Sequence, residues 1–177
     1  QAHARHWRRL ASGLALSASG IGALGFIGWV IDSDALKRVH PTLVTMKANT
    51  GLCLFASGIA LALLCGETVR PWQRRISQVL AVVVALVGLA TLIQHVLHVD
   101  FGIDQLLFRE SVEAAGQSFP GRMGFAASVN FLFVGLALLS LDAQSSRRTR
   151  LANYLGLVPG VVTSLVFLYY FYGIEKF

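Results

Sequence analysis

Charged residues are scarce in this chain. Asp, Glu, Lys and Arg make up only 14% of its 177 residues, whereas an ordinary soluble domain contains about 25% charged residues. Hydrophobic residues account for 55% of the chain, and the mean hydropathy is +0.63. This composition excludes a typical water-soluble domain and predicts an integral membrane protein in contact with the lipid bilayer.

Cysteine is almost absent, with two residues in the whole chain. Cys53 and Cys65 fall on one predicted helix, about 18 Å apart at 1.5 Å of rise per residue. That separation is too large for a disulfide bond. We therefore expect both thiols to act as small packing groups.

Catalytic motifs are missing as well. The sequence contains no Gly-rich phosphate loop, no HExxH zinc motif and no nucleophile elbow. Glu110 and Glu113 share one predicted external segment, but two carboxylates without a pocket do not make an acid/base pair. We therefore expect a protein that is not an enzyme.

The net charge of +6 does not indicate a nucleic-acid partner. Its basic residues cluster at the ends of apolar runs, where Lys and Arg anchor helices to lipid headgroups. The aromatic and basic interleaving of a nucleic-acid groove is missing. The expected partners are the bilayer and other membrane-protein subunits.

Five apolar runs predict an all-α integral membrane protein with five transmembrane helices, because each run can cross a hydrocarbon core of about 30 Å. The predicted fold contains two parallel helix-pair repeats plus a fifth helix. Its segments are a basic lead at 1–9, a first helix pair at 10–65, a basic cytoplasmic turn at 66–76, a second helix pair at 77–141, a basic cytoplasmic turn at 142–150, and a fifth helix with a short external tail at 151–177.

A repeated stretch supports the two helix pairs. Residues 45–64 and 122–141 align without gaps, and an Asp-x-Leu triplet and a proline precede each copy. Both units begin on the same side, which differs from the inverted repeats of many carriers. The shared identities are Met46/Met123, Gly58/Gly135, Ala60/Ala137, Leu61/Leu138 and Leu64/Leu141.

The distribution of Lys and Arg predicts an orientation. These residues concentrate in the N-terminal lead and in the two short turns, whereas the longer links mix them with acidic residues. The positive-inside rule then places the N-terminus in the cytoplasm and the longer links outside. We expect a multi-pass protein of the bacterial inner membrane, with Phe177 on the periplasmic side.

Several motifs resemble those of a known family. LVTMKANT at 43–50, VDFGIDQLLF at 99–108, PGRM at 120–123 and NFLFVGLALLSL at 130–141 are similar to the N-terminal membrane input region of bacterial sensor histidine kinases and diguanylate cyclases. The resemblance covers about residues 29–172. It implies helix pairs that receive a signal for a cytosolic output domain. Ala48 stands where that family has a second proline, and Phe125–Ala127 lacks its PNT core.

The strongest candidate for chemistry is the pair His95 and His98 near the end of the third predicted span. Ionisable residues in a span are functional candidates, and their i, i+3 spacing lets both face one side of a helix. Contact with a haem, a chlorophyll-type pigment or a quinone stays open beside simple packing or hydrogen bonding, with a metal ligand less favoured. No cofactor is required by the sequence, and the resemblance assigns this pair no role.

Two further groups of residues are candidate binding surfaces. Asn49, Thr50 and Asn130 are polar groups in spans two and four, suited either to interhelical hydrogen bonds or to a ligand pocket between the helix pairs. A ridge of small residues spaced four apart on the first span predicts close helix packing, within this chain or against a partner. The ridge consists of Ala11, Ala15, Ser19 and Ala23.

Two functions remain at this point. One is a non-catalytic accessory subunit of a larger membrane complex, of respiratory or photosynthetic type. The other is a signal-input domain of a sensor kinase or diguanylate cyclase, which senses a small apolar or redox molecule, or the state of the membrane, between its helix pairs. An odd number of spans would leave Phe177 outside and prevent attachment of a cytosolic output domain, so the sequence favours the subunit.

Overall fold

A computed structural model of the chain describes residues 2–38, 45–110, 119–141 and 146–172. All regular secondary structure in these ranges is α-helical, as predicted. The helices are α1 (Ala2–Val30), α2 (Asp34–Lys37), α3 (Ala48–Leu64), α4 (Pro71–Leu97), α5 (Phe125–Leu141) and α6 (Ser146–Phe171).

Three helices are long and apolar enough to cross a membrane. They are Arg5–Val30 within α1, the whole of α4, and Arg150–Phe171 within α6. α3 and α5 are apolar too, but each has only 17 residues, the lower end of the roughly 17–25 residues of a span. The fold is therefore that of a helical protein compatible with a bilayer, and the five spans remain a prediction for α3 and α5.

Three helices begin earlier than the predicted spans. α1 starts at Ala2, α4 at Pro71 and α6 at Ser146. An apolar run marks only the part of a helix that lies in hydrocarbon, whereas Arg and Gln continue a helix readily into the headgroup region. Proline also fits the first helical position, because its missing N–H needs no partner there. The basic turns are therefore shorter than predicted.

α1 and α3 pack side by side in opposite directions at very short range. A Cβ atom on Gly58 would lie 2.3 Å from the carbonyl oxygen of Ala15 and 2.3 Å from Ser19 Oγ. A Cβ on Gly22 would lie 2.5 Å from the carbonyl oxygen of Gly51. Glycine is needed at these crossings because no other residue lets the backbones approach so closely.

α4 and α5 form a second antiparallel pair with the same kind of contact. A Cβ on Gly135 would lie 2.7 Å from the carbonyl oxygen of Ala81, and a Cβ on Gly88 would lie 2.5 Å from the backbone nitrogen of Leu132. Close approach in this pair again depends on glycine.

The two pairs meet along α3 and α4. The Ser77 hydroxyl donates a hydrogen bond of 2.9 Å to the carbonyl oxygen of Ala60. Nearby, Cys53 and Val84 belong to a buried cluster with Met123. α6 lies at the edge of this arrangement, because among the described helices it contacts only α5.

Candidate functional site

A cavity of about 520 Å³ lies between α3 and α4, where the two helix pairs meet. Its walls are apolar side chains of both helices, including Ala56 and Val87, together with Ile103, Leu106 and Leu107 of the link after α4. Asn49 supplies the one carboxamide among the lining residues. Its size and its apolar lining with a single hydrogen-bonding group are typical of a small-molecule pocket.

The three polar residues predicted for a ligand pocket do not come together. Asn49 lines the cavity, and its Nδ2 donates a 2.9 Å hydrogen bond to the carbonyl oxygen of Ile103. Asn130 instead lies at the contact of α5 with α6, where its Nδ2 donates a 3.0 Å bond to Thr163 Oγ1. Thr50 is half-buried and does not line the cavity. Only Asn49 belongs to this site.

The two histidines differ in environment. His95 Nε2 lies 2.9 Å from the carbonyl oxygen of Met123, and since a carbonyl only accepts, this nitrogen donates. The imidazole also packs edge-on against Phe125 at 5.8 Å. His98 is exposed and follows the end of α4 at Leu97, with a left-handed φ of 54°. His98 therefore lies just beyond the helix that carries His95, and a cofactor contact of either histidine stays a prediction.

The small-residue ridge of α1 faces α3. Ala15 and Ser19 are buried, and Ser19 Oγ donates a 3.1 Å hydrogen bond to the carbonyl oxygen of Phe55. Ala11 and Ala23 are half-buried on the same helix. These contacts correspond to packing within the chain, which the sequence left open beside docking of a partner.

The link between α4 and α5 folds back over the first helix pair. The Phe108 ring lies 5.7 Å from that of Phe26 and 5.8 Å from that of Trp29. Lys47 Nζ pairs with Glu110 at 2.7 Å, and their side chains are only 6% and 8% exposed. Lys47 precedes the first residue of α3 and is buried, because Glu110 reaches it from the link.

A buried polar cluster attaches the same link to the end of α4. Arg122 Nε donates to Asp104 Oδ2 at 2.8 Å, and Arg122 Nη2 donates to the carbonyl oxygen of Val99 at 2.9 Å. Gln94 Nε2 donates to the same carboxylate oxygen at 2.9 Å and to Asp100 Oδ1 at 3.3 Å. This cluster holds the irregular link between α4 and α5 against the C-terminal end of α4.

Two polar clefts open beside the link, with volumes of about 440 Å³ and 280 Å³. Arg109 is exposed and borders both. In the smaller cleft, a hydrogen bond from Lys37 and the positive charge of Lys37 hold the pKa of the Asp32 carboxyl below its ordinary value. Among the described residues, no group of three or more His, Cys, Asp or Glu side chains is placed to hold a metal ion.

Sequence reasoning missed the Lys47–Glu110 pair and the cluster of Arg122, Asp104 and Gln94. One signal was present, since charged residues are rare in the chain and several of these border the apolar runs. Their pairing could not be predicted, because it depends on how the irregular link folds back over helices far away in sequence.

Comparison with known protein families, with curated proteins and with solved structures finds no match to this chain. The resemblance to a sensor input region therefore remains an expectation from the motifs alone.

Proposed function

We propose that this chain is a five-span, non-catalytic subunit that packs against a larger membrane complex of respiratory or photosynthetic type. Its place is the bacterial inner membrane, with the N-terminus and the basic turns in the cytoplasm and the longer links on the periplasmic side. The proposal has two parts, the five spans and the docking of a partner.

The packing of the short helices supports five spans. At 1.5 Å per residue, 17 residues extend for about 26 Å, and α3 and α5 each lie antiparallel against a helix long enough to span. The two pairs also repeat one hydrogen bond. Trp29 Nε1 donates to the Met46 carbonyl oxygen at 2.7 Å, as His95 Nε2 does to that of Met123 at 2.9 Å. This correspondence supports a duplicated helix-pair unit in which all four helices cross the membrane.

The glycines of α6 carry the docking part of the proposal. A Cβ atom added to Gly156 or Gly160 would meet nothing within 4 Å. Ser164 continues the same four-residue spacing and is exposed. Together these three residues form a small-xxx-small stripe, a pattern that drives close packing between transmembrane helices.

The stripe on α6 differs from the glycines inside the helix pairs in having no neighbouring backbone. Within the pairs, Gly22, Gly58, Gly88 and Gly135 each meet the backbone of a neighbouring helix at under 3 Å. The stripe on α6 has the same chemistry, but no described helix of this chain lies against it. A helix from another membrane subunit supplies the missing neighbour in this proposal.

Purification from the native membrane in mild detergent tests the docking. We expect wild-type protein to co-migrate at fixed stoichiometry with larger subunits, identified by mass spectrometry, and Gly160→Leu to release it. Gly20→Leu is the matched control, because Gly20 also faces open space but lies on α1. Release by both variants would refute docking through the stripe on α6, and a wild-type chain that always migrates alone would refute the subunit proposal.

The cavity between the helix pairs favours a second candidate, a signal-input domain that binds a small apolar molecule. The cavity lies between the two helix pairs, and a ligand there would contact α3 and α4 together. Because these helices belong to different pairs, binding would alter how the pairs pack against each other.

Extraction of lipophilic molecules from the purified protein tests this second candidate. Ala90 lines the cavity, so Ala90→Phe should fill it and remove any compound that co-purifies stoichiometrically with wild type. Ala62→Phe provides the control, because Ala62 is half-buried on α3 and does not line the cavity. Equal compound in all three proteins, or none in wild type, would contradict ligand binding there.

A further inference from the structure

The polar cluster at the end of α4 contains oxygen atoms without partners. Thr91 Oγ1, Gln94 Oε1 and Asp104 Oδ1 are all shielded from solvent, and none has a hydrogen-bond partner among the described residues. Thr91 and Gln94 are fully buried, and Asp104 is 9% exposed. A buried polar atom without a partner costs about 1–3 kcal/mol, so three in one region indicate that something else satisfies them.

The three oxygens belong to one neighbourhood. Gln94 and Asp104 are joined directly, because Gln94 Nε2 donates to Asp104 Oδ2 at 2.9 Å, which leaves the second oxygen of each group unpartnered. Thr91 precedes Gln94 by three residues, so both side chains lie on one side of α4. The Gln94 carboxamide oxygen and the Asp104 carboxylate oxygen only accept hydrogen bonds, and the Thr91 hydroxyl oxygen can also accept.

The local charges favour a cation of low charge. Asp104 pairs with Arg122, and the Asp100 carboxylate lies 4.0 Å from the same guanidinium group. Two carboxylates therefore face one buried Arg, while Arg109 is exposed at the rim of the adjoining cleft. The C-terminal end of α4 adds the partial negative charge of a helix terminus.

We propose that Thr91, Gln94 and Asp104 bind a small monovalent cation with the size and hardness of sodium. Hydroxyl, carboxamide and carboxylate oxygens suit hard cations, and helix ends with nearby carbonyl groups coordinate sodium in membrane proteins. A divalent ion fits less well, because Arg122 already neutralises one of the two carboxylates. The 440 Å³ cleft, lined by Asp100 and Asp104, connects this site to the outer surface.

Thermal unfolding of the purified chain in mild detergent tests the proposal. The midpoint should rise saturably with NaCl and stay flat in choline chloride at matched ionic strength, because a ligand that binds only the folded state stabilises it by mass action. Thr91→Val keeps the shape of the side chain and removes its oxygen. We expect this variant to weaken the apparent sodium affinity by about 10–100-fold, the range typical of perturbed metal sites.

Two further variants separate binding from general damage. Asp104→Asn should also abolish the sodium response, and if it fails to fold, Thr91→Val still decides the question. Ser77→Ala is the matched control, because Ser77 is buried on the same helix and its hydroxyl has a partner, so it should lower the midpoint without changing the sodium dependence. Equal stabilisation by choline chloride would show a general effect of ionic strength and would overturn the proposal. A response to CaCl₂ instead of NaCl, or one unchanged in Thr91→Val, would overturn it too.

Discussion

The two helix pairs share a backbone arrangement and differ in what they place at their outer ends. In both, a glycine of the first helix meets the backbone of the second, at Gly22 in one pair and Gly88 in the other. Both first helices are also followed by a non-glycine residue with φ of 54°, Asp32 after α1 and His98 after α4. Because the two pairs share these backbone features, their side chains can be compared position by position.

The two pairs differ most in the side chains near the C-terminal end of the first helix of each pair. Where α1 has Gly25 and Gly28, the corresponding positions of α4 are Thr91 and Gln94. The first pair closes this region by close packing, since a Cβ on Gly25 would lie 2.5 Å from the sulfur of Met46. The second pair fills it with buried polar groups. The two pairs therefore share the glycine contacts that bring their helices together and differ in the side chains that surround the end of the first helix.

The largest expected effect concerns Lys47 and Glu110, a buried ion pair that joins the start of α3 in the first helix pair to the α4–α5 link. Lys47→Ala leaves the Glu110 carboxylate buried without its cation, which should cost about 3–5 kcal/mol of unfolding free energy. Denaturant unfolding in mixed micelles measures this loss. Asp34→Ala is the control, because its carboxylate is 73% exposed where it meets Arg38, and exposed pairs contribute about 0–1 kcal/mol. Similar losses in both variants would show that the Lys47 pair is not buried in the membrane-inserted protein.

Substitution of Gly22 and Gly88, the glycines at the close helix contacts, tests whether the two pairs are equivalent. Gly22→Ala and Gly88→Ala each introduce a Cβ 2.5 Å from a backbone atom of the neighbouring helix, and overpacking of this kind costs about 1–3 kcal/mol. Gly20→Ala is the control on a face with open space, where alanine should stabilise the helix by up to about 1 kcal/mol. The same unfolding assay applies. A loss of unfolding free energy in only one of these two variants would show that the pairs are not equivalent.

A smaller effect is expected from the repeated hydrogen bond. Trp29→Phe and His95→Phe each remove one bond to a methionine carbonyl, at Met46 and Met123, which should cost about 0.5–1.5 kcal/mol. Unfolding and the absorption spectrum should be measured together. Loss of a visible absorption band in His95→Phe alone would distinguish the pairs and support the predicted cofactor contact.

The smallest effect is a pH dependence at the end of α1. The pKa of Asp32 is lowered by the hydrogen bond and charge of Lys37, so the ionised carboxylate stabilises the fold above its ordinary pKa of 3.8. This stabilisation is lost as the pH falls through the lowered value. Asp32→Asn should flatten the acid limb of the unfolding curve slightly. An unchanged limb would show that the contact does not persist in solution.

Much of the fold could be predicted from hydropathy and proline placement. The end of α3 falls within one residue of the predicted Cys65, and α5 ends at Leu141 as expected. Helix starts were less predictable, since Pro71 reads as a break in a sequence although it occupies the first position of α4. A local pattern does not distinguish these two roles of proline.

The candidate site was less predictable than the fold. Asn49 was identified because a carboxamide in an apolar run needs a partner, but its partner is a carbonyl at Ile103, in a link without periodic pattern. The position of His98 beyond the end of α4 was hard to predict for a similar reason. A helix end with positive φ at a non-glycine residue leaves little signal in the sequence. Contacts made by irregular segments depend on the assembled fold.

The return of the α4–α5 link to the first helix pair also has a consequence for biosynthesis. Glu110 and Phe108 follow α4 in the chain, so they are synthesised after Lys47 and Trp29, the residues that they contact. Until the link is made, the ammonium group of Lys47 lacks the carboxylate that it meets in the folded protein. The first helix pair is therefore completed only by a later part of the chain.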